Sequence, residues 1–415
     1  MRELRHKYEC AMKEKMLMRL ERDRLQQQVF AARLAQEKRE LAAQAEAAER
    51  ASRPAPAGAP PARRGASAGD GSEGSRAGTA GSQGAGGAQE GAGSRRRPTK
   101  AVLPPAGRAN PYEKLEFDAV DVASWGMQRT FKGHQMSISS IAVHPEKPIF
   151  ATASDDTTWK MWSYPDGDLM MCGEGHTDWV AGVDFHPYGT HLASASGDGT
   201  IKLWDFEEAR CTATMSDHTQ AVWDVAFHDM GDFVASASLD HSARLWDVIA
   251  QRTKVTFRGH VDSVNSIAWQ PFSNNLCTAS SDKTVSIWDA RSGLCVQTFY
   301  GHANSCNDVT FNLRGDTIVS VDSDGAVKLW DVRMVAEILS MNAGPYPANK
   351  CAIDRSGAVL AVASDAGSVM AFNVAAGDPL CTLEGHSDAV QAVQFDPYGK
   401  FMISAGSDNT FRTWH

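Results

Sequence analysis

From Trp125 to the last residue but one, the chain repeats itself at an unbroken step of 42 residues. An aromatic residue closes each unit at Trp162, Trp204, Trp246, Trp288, Trp330, Phe372 and Trp414. Twenty-eight residues earlier stands a histidine at His134, His176, His218, His260, His302 and His386, with Gly344 in the sixth unit. Ten residues before the aromatic stands a hydroxyl at Thr152, Ser194, Ser236, Thr278, Ser320 and Ser404, with Val362 in the sixth. Six before it comes Asp156, Asp198, Asp240, Asp282, Asp324 and Asp408, with Ala366 in the sixth. Residues 176–205 give the local reading of one unit. The runs 180–186, 191–196 and 201–204 alternate apolar with small or polar residues, and Pro187-Tyr188-Gly189 and Asp198-Gly199 supply turns between them. One such unit cannot bury both faces of its sheet, so the units must stack.

The four positions carry complementary chemistry. Imidazole, hydroxyl, carboxylate and indole N–H can satisfy one another in a buried chain, each bond contributing roughly 0.5–1.5 kcal/mol net. Losing one member strands the others at about 1–3 kcal/mol. The sixth unit obeys this logic, because Gly344, Val362, Ala366 and Phe372 replace the whole set together. Ser, His and Asp in one unit also suggest a hydrolase triad. Six copies of the trio in one chain instead read as structure, and no enzyme is expected.

Gly-His precedes five of the units, at 133–134, 175–176, 259–260, 301–302 and 385–386, and Trp-Asp closes four, at 204–205, 246–247, 288–289 and 330–331. These features resemble the WD-repeat signature. The resemblance implies an all-β, seven-bladed propeller over 125–415. It places the histidine between outermost and innermost strands, and the hydroxyl, Asp and Trp on the second and third strands and their turn. The last unit ends at its third strand, so the run 128–131 is expected beside 409–414, closing the ring and removing an open edge.

Upstream, 1–50 lacks Gly and Pro and is rich in helix formers, so a helix is expected. Leu4, Tyr8, Ala11 and Met18 begin one apolar stripe, and Met16, Leu20, Phe30, Leu34 and Leu41 another, while Lys15, Asp23, Gln27 and Glu37 interrupt strict heptads. This fits a short coiled coil for homo-oligomerisation or a partner-docked helix, and also a solvated helix that needs no partner. Residues 51–124 form a Gly/Ala/Pro/Ser-rich stretch expected to be a disordered linker. The charge balance is +6 over 1–124 and −15 over 125–415. An acidic propeller suits phosphate backbones poorly, so no nucleic acid is expected. The 8 cysteines lack zinc spacing, no apolar run is long enough for a membrane span, and 1–9 is charged rather than signal-like. A soluble intracellular protein without metal, cofactor or membrane span is the expectation.

The residues after each histidine are expected to form a docking face. Trp179 stands third after its histidine, and Trp223, Asn265, Asn307 and Gln391 stand fifth, with Asp178, Asp262 and Asp388 beside them. Exposed Trp beside acids is anchor material; the competing reading packs Trp179 and Trp223 between blades.

GHTDWV (175–180), GHVDSVNSIAWQPFSNNLCTASSDKTVSIWDARSGLC (259–295), GSDNTFRTWH (406–415) and MKEKMLMRLERDRL (12–25) resemble the sperm-associated antigen 16 family of axonemal central-pair proteins. The degenerate sixth repeat is similar too. The resemblance implies a non-catalytic scaffold of the cilium or flagellum, needed for motility, within the cytoplasm and cytoskeleton. Its implied partners are central-apparatus proteins, including an armadillo-repeat protein, and tubulin or microtubules. The family's N-terminal part is usually longer, which implies that Met1 is an internal start. A general cytosolic coiled-coil adaptor of autophagy or ubiquitin-ligase type is the alternative, with no F-box-like segment to support the ligase version.

Overall fold

The computed structural model describes residues 101–105 and 108–415, and the helix or coiled coil expected over 1–50 lies outside them, as does most of the expected linker. The described residues belong to one unit, Pro98–His415. It contains seven four-stranded antiparallel sheets. Six take their strands a to d in sequence order, over 138–174, 180–215, 222–258, 264–300, 306–342 and 348–384. The seventh combines Val390–Phe395, Met402–Gly406 and Thr410–Trp414 with Met127–Lys132 from the other end of the domain. Phe131 pairs with Phe411 and Thr130 with Arg412, so the expected closure is present. Strands a of neighbouring blades lie side by side around a central channel. Buried apolar side chains form the cores shared by successive blades.

These cores are filled by exchanging volume across one register position. Strand c meets strand d as Ile201–Met215, Ala243–Phe257, Val285–Phe299, Val327–Met341 and Val369–Leu383. Blade 1 inverts the sizes, with Trp159 opposite Gly173. A Cβ on Gly173 would lie 1.9 Å from the Trp159 indole nitrogen, so only glycine fits beside that ring. Close packing of this kind leaves little room for a changed side chain on either strand.

Every a–b pair is interrupted near the start of strand a. The register skips one residue in each blade: Ser139, Ala181, Trp223, Asn265, Asn307, Asn349 and Gln391. A β-bulge bends its strand and re-aims the extra side chain. Here all seven line a depression at one end of the channel together with Trp179 and Lys350. This end, bearing the d–a loops and b–c turns, is called the top face below.

The opposite face corrects the expectation of a disordered linker running to residue 124. Residues 101–105 and 108–124 form a strap that passes beneath blades 3 to 7. The Ala101 N–H donates to Asp247 Oδ2 at 2.8 Å, and Lys254 Nζ donates to the Ala101 carbonyl. Asn274 donates to the Pro104 carbonyl, Arg108 pairs with Asp229 at 2.9 Å, and Asn110 donates to the Leu313 carbonyl. The Tyr112 ring lies 5.6 Å from Phe272, and the Arg355 guanidinium sits 4.1 Å from the Phe117 ring centre. Val122 is fully buried, with Val120 and Trp125 packed against the same cluster. The composition changes near Tyr112, where large apolar residues return; these supply the burial that ordering a chain requires.

Candidate docking face

Five blades contain the polar chain as read from the sequence, and blade 5 contains it with a different aspartate. In blade 1, His134 Nδ1 lies 2.8 Å from Asp156 and Nε2 lies 2.7 Å from Thr152, while Trp162 Nε1 donates to the same hydroxyl at 2.9 Å. Blades 2 and 3 repeat this with His176, Asp198, Ser194 and Trp204, and with His218, Asp240, Ser236 and Trp246. Blades 4 and 7 do so with His260, Asp282, Thr278 and Trp288, and with His386, Asp408, Ser404 and Trp414. A carboxylate only accepts, so the ring carries a proton on Nδ1, aimed at the Asp. Nε2 of a neutral ring is then an acceptor and takes the hydroxyl hydrogen, while the same oxygen accepts from indole. Each hydroxyl-bearing residue is fully buried, with its hydrogen and its oxygen both engaged. A substrate cannot reach it, which removes the triad reading.

Blade 5 departs from the expected set. His302 Nδ1 meets Asp322 at 2.9 Å, not Asp324. Position 322 ends strand b, where blades 1 to 4 and 6 carry Ser154, Ser196, Ser238, Ser280 and Ser364 and blade 7 carries Gly406. The Asp322 carboxylate also accepts from the N–H groups of Asp324 and Ala326, taking over the turn. Ala326 lacks the hydroxyl that binds this turn aspartate through Thr158, Thr200, Ser242, Thr284 or Thr410 in other blades. Asp324 is left exposed, accepting from Asn304 at 3.0 Å. His302, Ser320 and Trp330 keep their expected places.

Burial opposes ionisation of Asp156, Asp198, Asp240, Asp282, Asp322 and Asp408. Hydrogen bonds from the imidazole, from backbone N–H groups and, except at Asp322, from the turn hydroxyl outweigh it, holding these carboxyls below the usual range. Burial lowers His134, His218 and His386 against the pull of their aspartates. In these three pairs a neutral imidazole stands beside a carboxylate.

The top mouth is a depression of about 790 Å³ that brings together Trp179, Trp223, Asn265, Asn307 and Gln391. Their availability differs. Asn265 donates to the Cys306 carbonyl of the next blade and Asn307 to that of Ala348, at 2.8 and 2.9 Å. Asn349, missed by the sequence reading, donates to Val390 in the same way; counting five from Gly344 would have found it. These amides clamp neighbouring blades. Gln391 donates to Ser407 of its own blade. Trp179 and Trp223 lie against each other across blades 2 and 3, ring centres 4.8 Å apart and planes tilted by 33°. Trp223 is nevertheless 37% exposed. Asp178, Asp262 and Asp388 lie exposed in the d–a loops, each accepting from the N–H of the following residue.

Below the mouth the channel holds a polar cluster that no local motif announced. Ser266 Oγ lies 2.9 Å from Asp224 and 2.7 Å from Asp308. One hydroxyl hydrogen serves both carboxyls only if one carboxyl is protonated, and burial raises Asp308. Lys350 lies 3.6 Å from Asp224; burial disfavours its charge, but Asp224 and Asp308 outweigh burial and hold it above the ordinary lysine value. Asp184, on blade 2, is pushed up to about 7 by burial.

Charge on the top loops is one-sided. The d–a loops and b–c turns contain seven aspartates outside the polar chains: Asp155, Asp178, Asp217, Asp262, Asp324, Asp365 and Asp388. Lys283 is their sole lysine or arginine, and its ammonium donates to the Ala303 carbonyl. On the strapped face, by contrast, Lys147, Arg291, Arg314, Arg333, Arg355 and Lys400 mix with acids. Among the described residues no helix is long and apolar enough to cross a membrane.

The profile of the family described as WD domain, G-beta repeat matches 125–163, 167–205, 209–247, 251–289, 293–331 and 377–415, together more than half of the chain. It passes over blade 6, the blade without the polar chain. The flagellar WD repeat-containing protein Pf20 of Chlamydomonas reinhardtii is 54% identical over 179 residues, which cover 42% of this chain and 29% of the relative. The chain thus spans under a third of that protein's length in the matched stretch. Strand order, the repeated polar chain and the matched repeats lead to one conclusion: the chain belongs to the WD-repeat family and is a homologue of flagellar Pf20.

Proposed function

We propose that this protein is a non-catalytic interaction scaffold of the ciliary or flagellar axoneme, working at the central pair of microtubules and required for motility. Its propeller is the docking platform, through the top mouth around Trp179 and Trp223, and the N-terminal segment serves assembly. Partners in this reading are other central-apparatus proteins, including an armadillo-repeat protein, with microtubule contact direct or through them. The observation that carries the reading is the likeness of the repeats to a flagellar WD-repeat protein. The geometry agrees: the Ser/Thr, His and Asp side chains are occupied in buried chains, while the mouth presents an exposed indole among amides and hydroxyls, with Asp155 in its lining and further aspartates on the surrounding loops.

The test is the position of a fluorescently tagged full chain in ciliated cells, followed by depletion and rescue. Enrichment along the axoneme and loss of beating on depletion are the expected results. Uniform cytosolic or autophagosomal signal with normal beating would replace this reading by that of a general adaptor.

A further inference from the structure

We infer that the top mouth receives an extended basic segment of a protein partner, with an arginine or lysine cation laid on the exposed face of Trp223. The inference rests on the docking reading above and supplies the chemistry of the occupant. Three observations carry it. Charge comes first: the seven aspartates of the top loops face a single cation, Lys283, already bound to a carbonyl. Inside the mouth Lys350 is paired with Asp224 at 3.6 Å. A basic ligand meets a predominantly acidic rim, whereas an acidic one meets mostly like charge.

Aromatic geometry comes second. Trp179 is half-buried over Gly197, where a Cβ would lie 2.5 Å from the indole, and it supports Trp223 from blade 2. One Trp223 face is thus braced while the side chain stays 37% exposed. An indole face in a negative field is the most favourable aromatic platform for a cation. Size comes third. A depression of about 790 Å³ accepts a few side chains of an extended strand but not a folded domain. Seven bulged residues hold the mouth open, and three of their side-chain amides lock adjacent blades, so the site is formed before the ligand arrives.

The test titrates the full chain, by tryptophan fluorescence and calorimetry, with three synthetic peptides of about a dozen residues. Their compositions are Arg/Ser, Gln/Ser and Glu/Ser. The arginine peptide should bind at least about tenfold more tightly than the glutamine peptide, and the glutamate peptide not at all. Raising salt from about 0.05 to 0.5 M should weaken the arginine complex. Trp223→Ala should weaken it about tenfold and Trp223→Phe less. The triple variant Asp155→Asn, Asp178→Asn, Asp388→Asn leaves the indoles in place and should weaken it by a similar factor. Equal binding of arginine and glutamate peptides, or arginine binding indifferent to both variants, would overturn the inference. Either result leaves axonemal localisation untouched, so the docking chemistry and the cellular role fail separately.

Discussion

Blade 6 and its six companions are built to the same plan from different chemistry. Blade 6 has the four strands, the a–b bulge at Asn349 and the c–d register shift of the others. It has no imidazole, hydroxyl, carboxylate or indole at the four key positions. Val362 and Phe372 are buried in an apolar cluster shared with blade 5 instead. The polar chain therefore does not make a blade. Alternation and turn spacing make it, and the chain is one of two ways to fill the same interior, valid only when complete. A family profile reads the chemistry and passes over blade 6; the backbone does not distinguish it.

Acid should separate the two kinds of interior most strongly. The carboxyls of the polar chains have lowered values, so the stability they lend is full above the unfolded value of about 4 and is lost as pH falls through the folded ones. His134, His218 and His386 are also lowered, and burial takes His144 and His186 down to about 4. The unfolded imidazoles take up protons near pH 6.5 while the folded ones do not, so stability falls as pH drops below that point. Asp184 works the other way: raised to about 7, it lends stability at low pH that is lost as pH rises from about 4 to 7. Burial raises Asp155, Asp308 and Asp396 in the same sense, so five lowered imidazoles stand against four raised carboxyls. Urea midpoints should give a net loss of about 3 kcal/mol between pH 7 and 5, and a flat profile would mean the imidazoles are not held neutral.

Next in size is the departure in blade 5. Asp322→Ala removes the acceptor for His302 Nδ1 and for two turn N–H groups at once. All three would be left in a site from which water is excluded, at about 3 kcal/mol by urea unfolding. A loss under about 1 kcal/mol would place the working carboxylate elsewhere.

The sharpest use of the comparison is a pair of opposite substitutions at one position. Ser236→Ala in blade 3 strands His218 Nε2 and the Trp246 N–H. Val362→Ser in blade 6 brings a hydroxyl into an apolar interior with neither partner present. Each should cost about 2 kcal/mol, although one removes a polar group and the other adds one. A neutral Val362→Ser would mean that blade 6 tolerates partial chains.

Most of this architecture was legible because it repeats. The 42-residue step places the strands, the closure beside Thr410–Trp414 and twenty-three of the twenty-four polar-chain residues. The same step reaches Trp223, Asn265, Asn307 and Gln391, since a bulge at a fixed offset aims each at the mouth. What occurs once was not legible. The strap has no repeat to announce it, and its Gly/Pro/Ala surroundings mask the few apolar residues that dock. The cluster of Asp224, Ser266, Asp308 and Lys350 does lie on the 42-residue step, one position after the bulge, but its residue type changes from blade to blade, so no recurring side chain marks it. Asp322 was hidden by Asp324, which occupies the expected offset two residues on.

That pair gives the smallest effect and a discriminating one. Asp324 is exposed, its side chain meets Asn304, and its carboxylate accepts from no histidine. Asp324→Ala should change stability by less than about 0.5 kcal/mol, the range of ordinary surface substitutions. In blade 2 the residue at the same offset, Asp198, accepts from His176, the Thr177 N–H and the Thr200 hydroxyl. Asp198→Ala should accordingly cost about 2 kcal/mol or more. Two aspartates equivalent by sequence position then differ several-fold in the same urea measurement. Equal losses would mean that Asp324 carries the blade 5 chain after all and that position, not contact, decides which carboxylate matters.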